Sequence, residues 1–407
     1  MLRSKTTESL EAQFIRSIDR RSRQTQVKRR DRLPARQVRS ISTSLLKKWW
    51  IAFLLWSLAL VPASALELRV AVEEDTSEVT VGSSTSARVR NSQGEVLGSL
   101  TGMHAFLART SGNSIALDRW QGRRLWLEPT DGGYVYIGNR WYRGKVLLAP
   151  TRYGLTAVNY VDLEAYLYSV LGAEMSPGWH PEALKAQAVA ARSYVLYQRH
   201  RYGNEVYDVG DNTSWQVYRG MEKEATSTHT AVNATRGQVL SYSGQVIEAV
   251  FHASSGGHTE DVENVWDEVK PYLRGVPDFD RESPYYHWTE SFSQWELDRR
   301  LTGVGSVRQL VPERQSHTGR TISMKVIGDG GTAIVDGDDI RSALNLPSTL
   351  FTVTSYGDSF SISGRGFGHG VGMSQWGAKA MAERGNNYRQ ILSHYYRGTQ
   401  LSQIRVQ

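Results

Sequence analysis

The 407-residue chain contains no cysteine, which excludes a disulfide framework and any thiolate zinc site. Its folded part must therefore rest on an ordinary apolar core. A basic surplus is also missing where a nucleic-acid binder would need it. The formal charge is +7, but residues 1–48 hold 14 Lys and Arg against 4 Asp and Glu. The remainder is slightly acidic, so no general excess of cations is left to form a nucleic-acid-binding face. Several catalytic signatures are absent too. No G-x-S-x-G elbow and no Gly-Lys-Ser/Thr phosphate loop occurs, and His252 and His258 miss the i, i+4 spacing of a zinc helix.

What the first 65 residues offer is an address. The apolar run Trp49–Val61 follows Lys47 and Lys48. It has the length of a signal-peptide core and falls short of the roughly 20 residues of a spanning helix. Pro62 and the small-x-small site Ala63-Ser64-Ala65 predict cleavage after Ala65 and export to the periplasm or cell envelope. Contact with the membrane is expected only through this leader if it stays uncleaved.

Three stretches are expected: the leader (1–65), a β-rich region (66–157) and a mixed core (158–407). The fold class is α+β, the β-rich part packing on a helix and strand core with a groove. Short alternating runs such as LELRVAV, SARVRN and RRLWLEP read as antiparallel strands. Asp131-Gly132-Gly133 reads as a hairpin turn. Helical spacing begins with VDLEAYLYSVLGAE and continues in PEALKAQAVAARSYVLYQRH, stopped by Gly203. A third helix is expected over 223–235. Beyond residue 290, SQWELDRRL reads as helix and RTISMKVIG, GTAIVDG and FTVTSYG as strands. A glycine-rich loop, GRGFGHGVG, then precedes two helices, MSQWGAKAMAERG and YRQILSHYY.

Four polar constellations could carry chemistry. Glu174 closes a helix between Ala173 and Met175. Partial burial there raises a carboxyl pKa and suits proton donation, while a nearby Arg192 would lower it. Taken alone, Glu174 reads better as an ordinary helix-end residue than as a catalytic one. Lys185, Ala188 and Arg192 share one face of the following helix. The second constellation is DNTSWQVY, with Gln216 and Tyr218. The third is FHASSGGHTE, with His252, Ser255 and Gly256, which by itself reads as a polar turn. The fourth is the glycine-rich loop, whose alternate glycines let backbone approach a ligand or another strand. His369, Gln375 and Trp376 project beside it.

These segments, in this order, resemble the sporulation stage II protein D family, whose other named branch modifies an autolytic amidase. The resemblance runs from about Leu66 to the C-terminus and is dense from Tyr160 on. It is carried by YLYSVLGAEMSPGWHPEALKAQAVAARSYVL, DNTSWQVYRG, TRGQVLSYSGQVIEAVFHASSGGHTEDVENVW and GRGFGHGVGMSQWGAKAMA. It implies a lytic transglycosylase acting on peptidoglycan glycan strands freed of peptide, with Glu174 and Arg192 as catalytic residues and no cofactor. Candidate substrate-binding residues are Lys185, Gln187, Gln216, Tyr218, His252, Ser255, Gly256, His369 and Gln375. Some relatives carry cysteines and zinc before the Gln-Val-Tyr segment; without cysteine here, no metal is expected. Two other outcomes stay open: a hydrolytic muramidase using Asp211 or Glu260 as second carboxylate, and a non-catalytic glycan binder that stimulates a cell-wall amidase.

Overall fold

The structure, a computed structural model, describes residues 66–404 except 213, 214 and 267. The expected leader and its cleavage site lie outside these residues. The class is α+β, and helices and strands meet in one large apolar core. Two sheets, antiparallel except for the parallel edge pair of 209–210 with 67–76, account for most of the N-terminal part. One runs, edge to edge, through strands at 209–210, 67–76, 155–162, 145–150, 125–129, 87–90 and 96–100. The other runs through 140–142, 135–137, 78–83, 105–111, 114–117 and 120–122. Alternate residues such as Leu68, Val70, Val79, Val81, Leu125 and Leu127 point into the core, as the period of two predicts.

The Asp131-Gly132-Gly133 turn corrects its expectation. Asp131 and Gly132 take positive φ angles of 52° and 71°, and the Gly133 amide closes the turn on the Thr130 carbonyl at 2.9 Å. However, the strands on either side belong to different sheets. Turn chemistry sets the local bend and does not choose the partner, so this turn passes the chain from one sheet to the other. At Ser243-Gly244 the same local signal does close a hairpin, pairing Tyr242 with Gln245.

Three helices follow from the same core. Helix α1 (Leu163–Glu174) starts where Asp162 accepts hydrogen bonds from the Glu164 and Ala165 amides, both 3.1 Å, and ends as Met175 turns extended ahead of Pro177. Helix α2 (Pro181–Tyr202) is capped by His180 and holds proline at its first position, where the missing N–H costs nothing. Its alanines 183, 186, 188, 190 and 191 are buried. Their small side chains let neighbouring elements close in on several sides at once. Helix α3 (Thr226–Ala234) is shorter than expected, because residues 220–223 form a 3₁₀ turn. Gly172 makes room for that turn: a Cβ there would lie 1.8 Å from the Lys223 carbonyl oxygen.

Residues 288–364 enclose a second, smaller core. It is built from helix α4 (Gln294–Arg300), helix α5 (Gly337–Leu344) and two three-stranded sheets. The chain then returns through the glycine-rich loop to helices α6 (Gln375–Glu383) and α7 (Tyr388–Tyr395), which pack on the main core. Among the described residues no helix is long and apolar enough to cross a membrane.

Candidate active site

A cleft of about 550 Å³ opens beside the C-terminal end of α1, lined by Glu174, Gln216, Val217, Phe251, Trp266 and His369 among others. Such a volume suits a small ligand or part of a polymer. Glu174 enters it from the helix end. Burial is the largest influence on its carboxyl and pushes the pKa above 4.5. Two long hydrogen bonds oppose this: the Val217 amide donates to Oε1 and the Gln375 side chain to Oε2, each at 3.4 Å. Both lie at the far limit of hydrogen-bond geometry, so desolvation wins.

The other acids of the cleft are handled differently. Lys270 sits 2.6 Å from Glu248 and 3.0 Å from Glu268, and Gln198 donates to the remaining oxygen of Glu248 at 3.1 Å. One cation thus holds both carboxylates. Among the described residues, Glu174 is the acid of the cleft with no cation beside it.

Of the residues expected at the site, the structure gathers Glu174, Gln216, His369 and Gln375. Gln216 is a wall more than a hand: its oxygen accepts from the Tyr166 hydroxyl at 3.2 Å and its nitrogen donates to the Ala191 carbonyl at 3.3 Å. His369 accepts from the Val371 amide through Nδ1, which leaves Nε2–H to donate to the Phe251 carbonyl, both at 3.0 Å. Burial, with Arg341 and Arg320 nearby, pushes its imidazole down to about 4. With both nitrogens occupied, His369 is neutral and offers the cleft a ring face, 5.0 Å from the Trp266 indole.

The remaining candidates lie outside the cleft lining. Arg192 is fully buried and faces inward, donating to Glu164 at 3.1 and 2.5 Å and to the Gln238 carbonyl at 2.9 Å. It ties α1, α2 and the strand at 238–242 together and leaves the Glu174 pKa to burial. Lys185 pairs with Glu182 at 2.7 Å. Helical spacing places Lys185 and Arg192 along one side of α2, but it did not say which way each faces: Arg192 is fully buried, whereas Lys185 is partly exposed beside Glu182. Gln187 is buried within α2. Tyr218 donates to Asn159 at 2.8 Å from inside the core. His252 donates from Nδ1 to the Val371 carbonyl, and burial, then His369, holds its pKa well below 6.5.

Ser255 and Gly256 serve the loop itself. The Ser255 hydroxyl donates to Asp278 at 2.6 Å, and the Gly256 amide to Asp280 at 2.8 Å. The glycine-rich loop packs its backbone against this segment, Ser254 and Phe367 exchanging amide-to-carbonyl hydrogen bonds at 3.1 and 2.7 Å. Gly370, at φ +83°, lies so close to the buried Arg320 guanidinium that a Cβ would sit 2.4 Å away.

Sequence reasoning missed Tyr194, Glu248, Trp266, Glu268 and Lys270 at the cleft. Glu268 and Lys270 are two residues apart and pair at 3.0 Å. Nothing local pointed to Glu248. Neither alternative second carboxylate lines the cleft. Glu260 is fully buried, and its oxygens accept from the Asp261 amide, Asn264, Ser316 and Thr318. Asp211 is raised to about 6 by burial and then by Glu73. Glu260, Asp261 and His317 could bring ligand atoms within 4.8 Å of one another. A metal there would compete with all four hydrogen bonds to Glu260.

Comparison with known proteins fits this arrangement. Residues 151–242, which carry Glu174, Arg192 and Gln216, match the family described as Stage II sporulation protein. The chain is 37% identical over 269 residues to Stage II sporulation protein D of Bacillus subtilis, covering 61% of this chain and 76% of that protein. The chain belongs to this family. An uncharacterized protein of Brachyspira hyodysenteriae is 36% identical over 280 residues, or 67% of this chain and 75% of that one. The Amidase enhancer of Bacillus subtilis is 33% identical over 291 residues, 58% of this chain and 40% of that protein. Residues 264–372, which include the smaller core, match a family described only as a domain of unknown function.

Proposed function

We propose that this protein acts in the cell wall as a peptidoglycan lytic transglycosylase, with Glu174 as its single acid and base. The observation that carries the reading is the contrast within the cleft: Glu248 and Glu268 are held by Lys270, while Glu174 has no cation and a raised pKa. A carboxyl whose pKa is raised by burial keeps its proton more readily than a free glutamic acid and can give it to the glycosidic oxygen as the bond to muramic acid C1 breaks. The carboxylate left behind then takes the proton of the same sugar's C6 hydroxyl. O6 bonds to C1, closing a 1,6-anhydro ring and restoring the acid. No water is consumed, so a second carboxylate to activate it is unnecessary, unlike in hydrolytic glycosidases. Trp266 and the His369 ring offer apolar faces for the sugar. Export through the basic leader, with cleavage after Ala65, brings the enzyme to its substrate.

The similarity to an Amidase enhancer supports a second reading, in which the same cleft holds glycan without cutting it and an amidase is the partner. Mass analysis of purified peptide-free strands after incubation separates the outcomes. Anhydro ends that vanish in Glu174→Gln support the transglycosylase. Ends heavier by one water support a hydrolase. Intact strands with measurable binding support the adaptor.

A further inference from the structure

A second cavity, of about 400 Å³, lies on the smaller core, and the glycine-rich loop connects it to the cleft. Gly364 and Arg365 line this cavity, His369 lines the cleft, and Gly364 stands five positions before His369. The chain reaches at most ~3.6 Å per residue, so the two sites lie within about 18 Å along that loop. In the same loop Phe367 is 42% exposed, its ring 4.8 Å from that of Tyr285, which is 44% exposed.

The chemistry of the second cavity fits a sugar. Its wall is the Trp288 indole, fixed by an Nε1–H bond to the Gly366 carbonyl at 3.0 Å and laid so closely over Gly364 that a Cβ there would be 2.2 Å from the ring. Around it stand Gln315, Thr352 and the hydroxyls of Thr289 and Ser363, which are 3.0 Å apart. An aromatic face with amide and hydroxyl groups at its edge is how proteins hold an N-acetylated sugar ring. Charge differs between the two sites. The cleft has three carboxylates and one lysine among its lining residues. The second cavity has no carboxylate in its lining, and Arg365 makes no ion pair among the described residues.

We propose that this cavity is a remote subsite for the same glycan strand, in which Trp288 stacks on a sugar ring and Arg365 meets the free lactyl carboxylate of a muramic acid. The inference rests on the glycan reading of the cleft. A strand engaged at both sites is held by two contacts on one chain, so longer strands gain affinity without any new contact at Glu174.

Binding is measured by titrating the non-cutting Glu174→Gln protein with labelled peptide-free strands, one a tetrasaccharide and one long enough to span both cavities. The long strand should bind about 10²-fold tighter than the tetrasaccharide. Arg365→Glu should cut that ratio about tenfold, Arg365→Lys should restore most of it, and Thr352→Trp, which fills the exposed rim, should lower it as Arg365→Glu does. Amidating the lactyl carboxylates should remove the part of the advantage that Arg365 supplies. A ratio near one in the parent protein, or one unmoved by these variants or by amidation, overturns the subsite and leaves the glycan reading standing. Failure of both lengths to bind overturns the glycan reading and the subsite with it.

Discussion

Glu174 and Glu260 are both drawn away from water, and the two regions around them make opposite use of it. At the Glu260 loop, backbone, amide and hydroxyl donors converge on both oxygens and hold the pKa below 4.5 despite burial. At the end of α1, Glu174 receives two donors at 3.4 Å, and burial holds its pKa above 4.5. Glu164, buried against Arg192, shows a third arrangement in which a cation takes up the charge. Burial alone therefore does not set the direction of a carboxyl's pKa; the donors and cations around it decide. The first environment favours the carboxylate through its hydrogen bonds, and the second leaves burial to raise the pKa beside an open cleft.

Substitutions can break or sharpen this contrast. The largest effect is expected from Glu174→Gln, which should lower strand cleavage by about 10²–10⁴-fold. The same change should raise the melting temperature at neutral pH, since a carboxyl whose folded-state pKa is raised favours folding only at low pH and opposes it once ionised. That gain should fade as the pH falls below the unfolded value. Next, Arg192→Met strips the cation from Glu164 and should cost about 3–5 kcal/mol in denaturant melts, with activity per folded molecule falling far less than in Glu174→Gln. Equal loss of specific activity in both would return Arg192 to a direct role in the chemistry.

Glu260→Gln should behave as the mirror of Glu174→Gln. A carboxylate with a lowered folded-state pKa contributes stability above its unfolded pKa and loses it as the pH falls through the folded value. The variant should therefore be less stable at pH 7, by about 1.5–3 kcal/mol for loss of charge-assisted hydrogen bonds, and approach the parent in acid. A smaller effect is expected from Gln375→Leu. It removes a donor that lowers the Glu174 pKa and adds apolar surface, so the alkaline limb of the activity profile should move to higher pH. Movement to lower pH would mean that Gln375 does not act on the carboxyl.

Much of this arrangement was written in local sequence. The helix ends around Glu174, the proline start of α2, the glycine-rich loop and the strands beyond residue 290 all follow from spacing and capping residues near at hand. What local sequence left out depends on partners far along the chain. Glu248 and Lys270 meet across 22 residues, and Arg192 meets Glu164 across 28. Ser254 and Gly256 are read as a polar turn until Asp280 arrives to accept from both. His369 is polar in type, yet the Val371 amide and Phe251 carbonyl use both of its nitrogens. The smaller core was legible element by element, but its separateness came only from which apolar side chains meet.

The central claim, that burial raises the pKa of the Glu174 carboxyl in the cleft, is tested most directly by carbon NMR titration of glutamate side-chain carboxyls, with Glu174→Gln to assign the signal. Glu174 should titrate above 4.5 and above Glu268, which Lys270 holds below that value. A Glu174 signal that titrates at or below 4.5 would contradict the account, because burial would then not favour the protonated form on which the proposed proton donation relies.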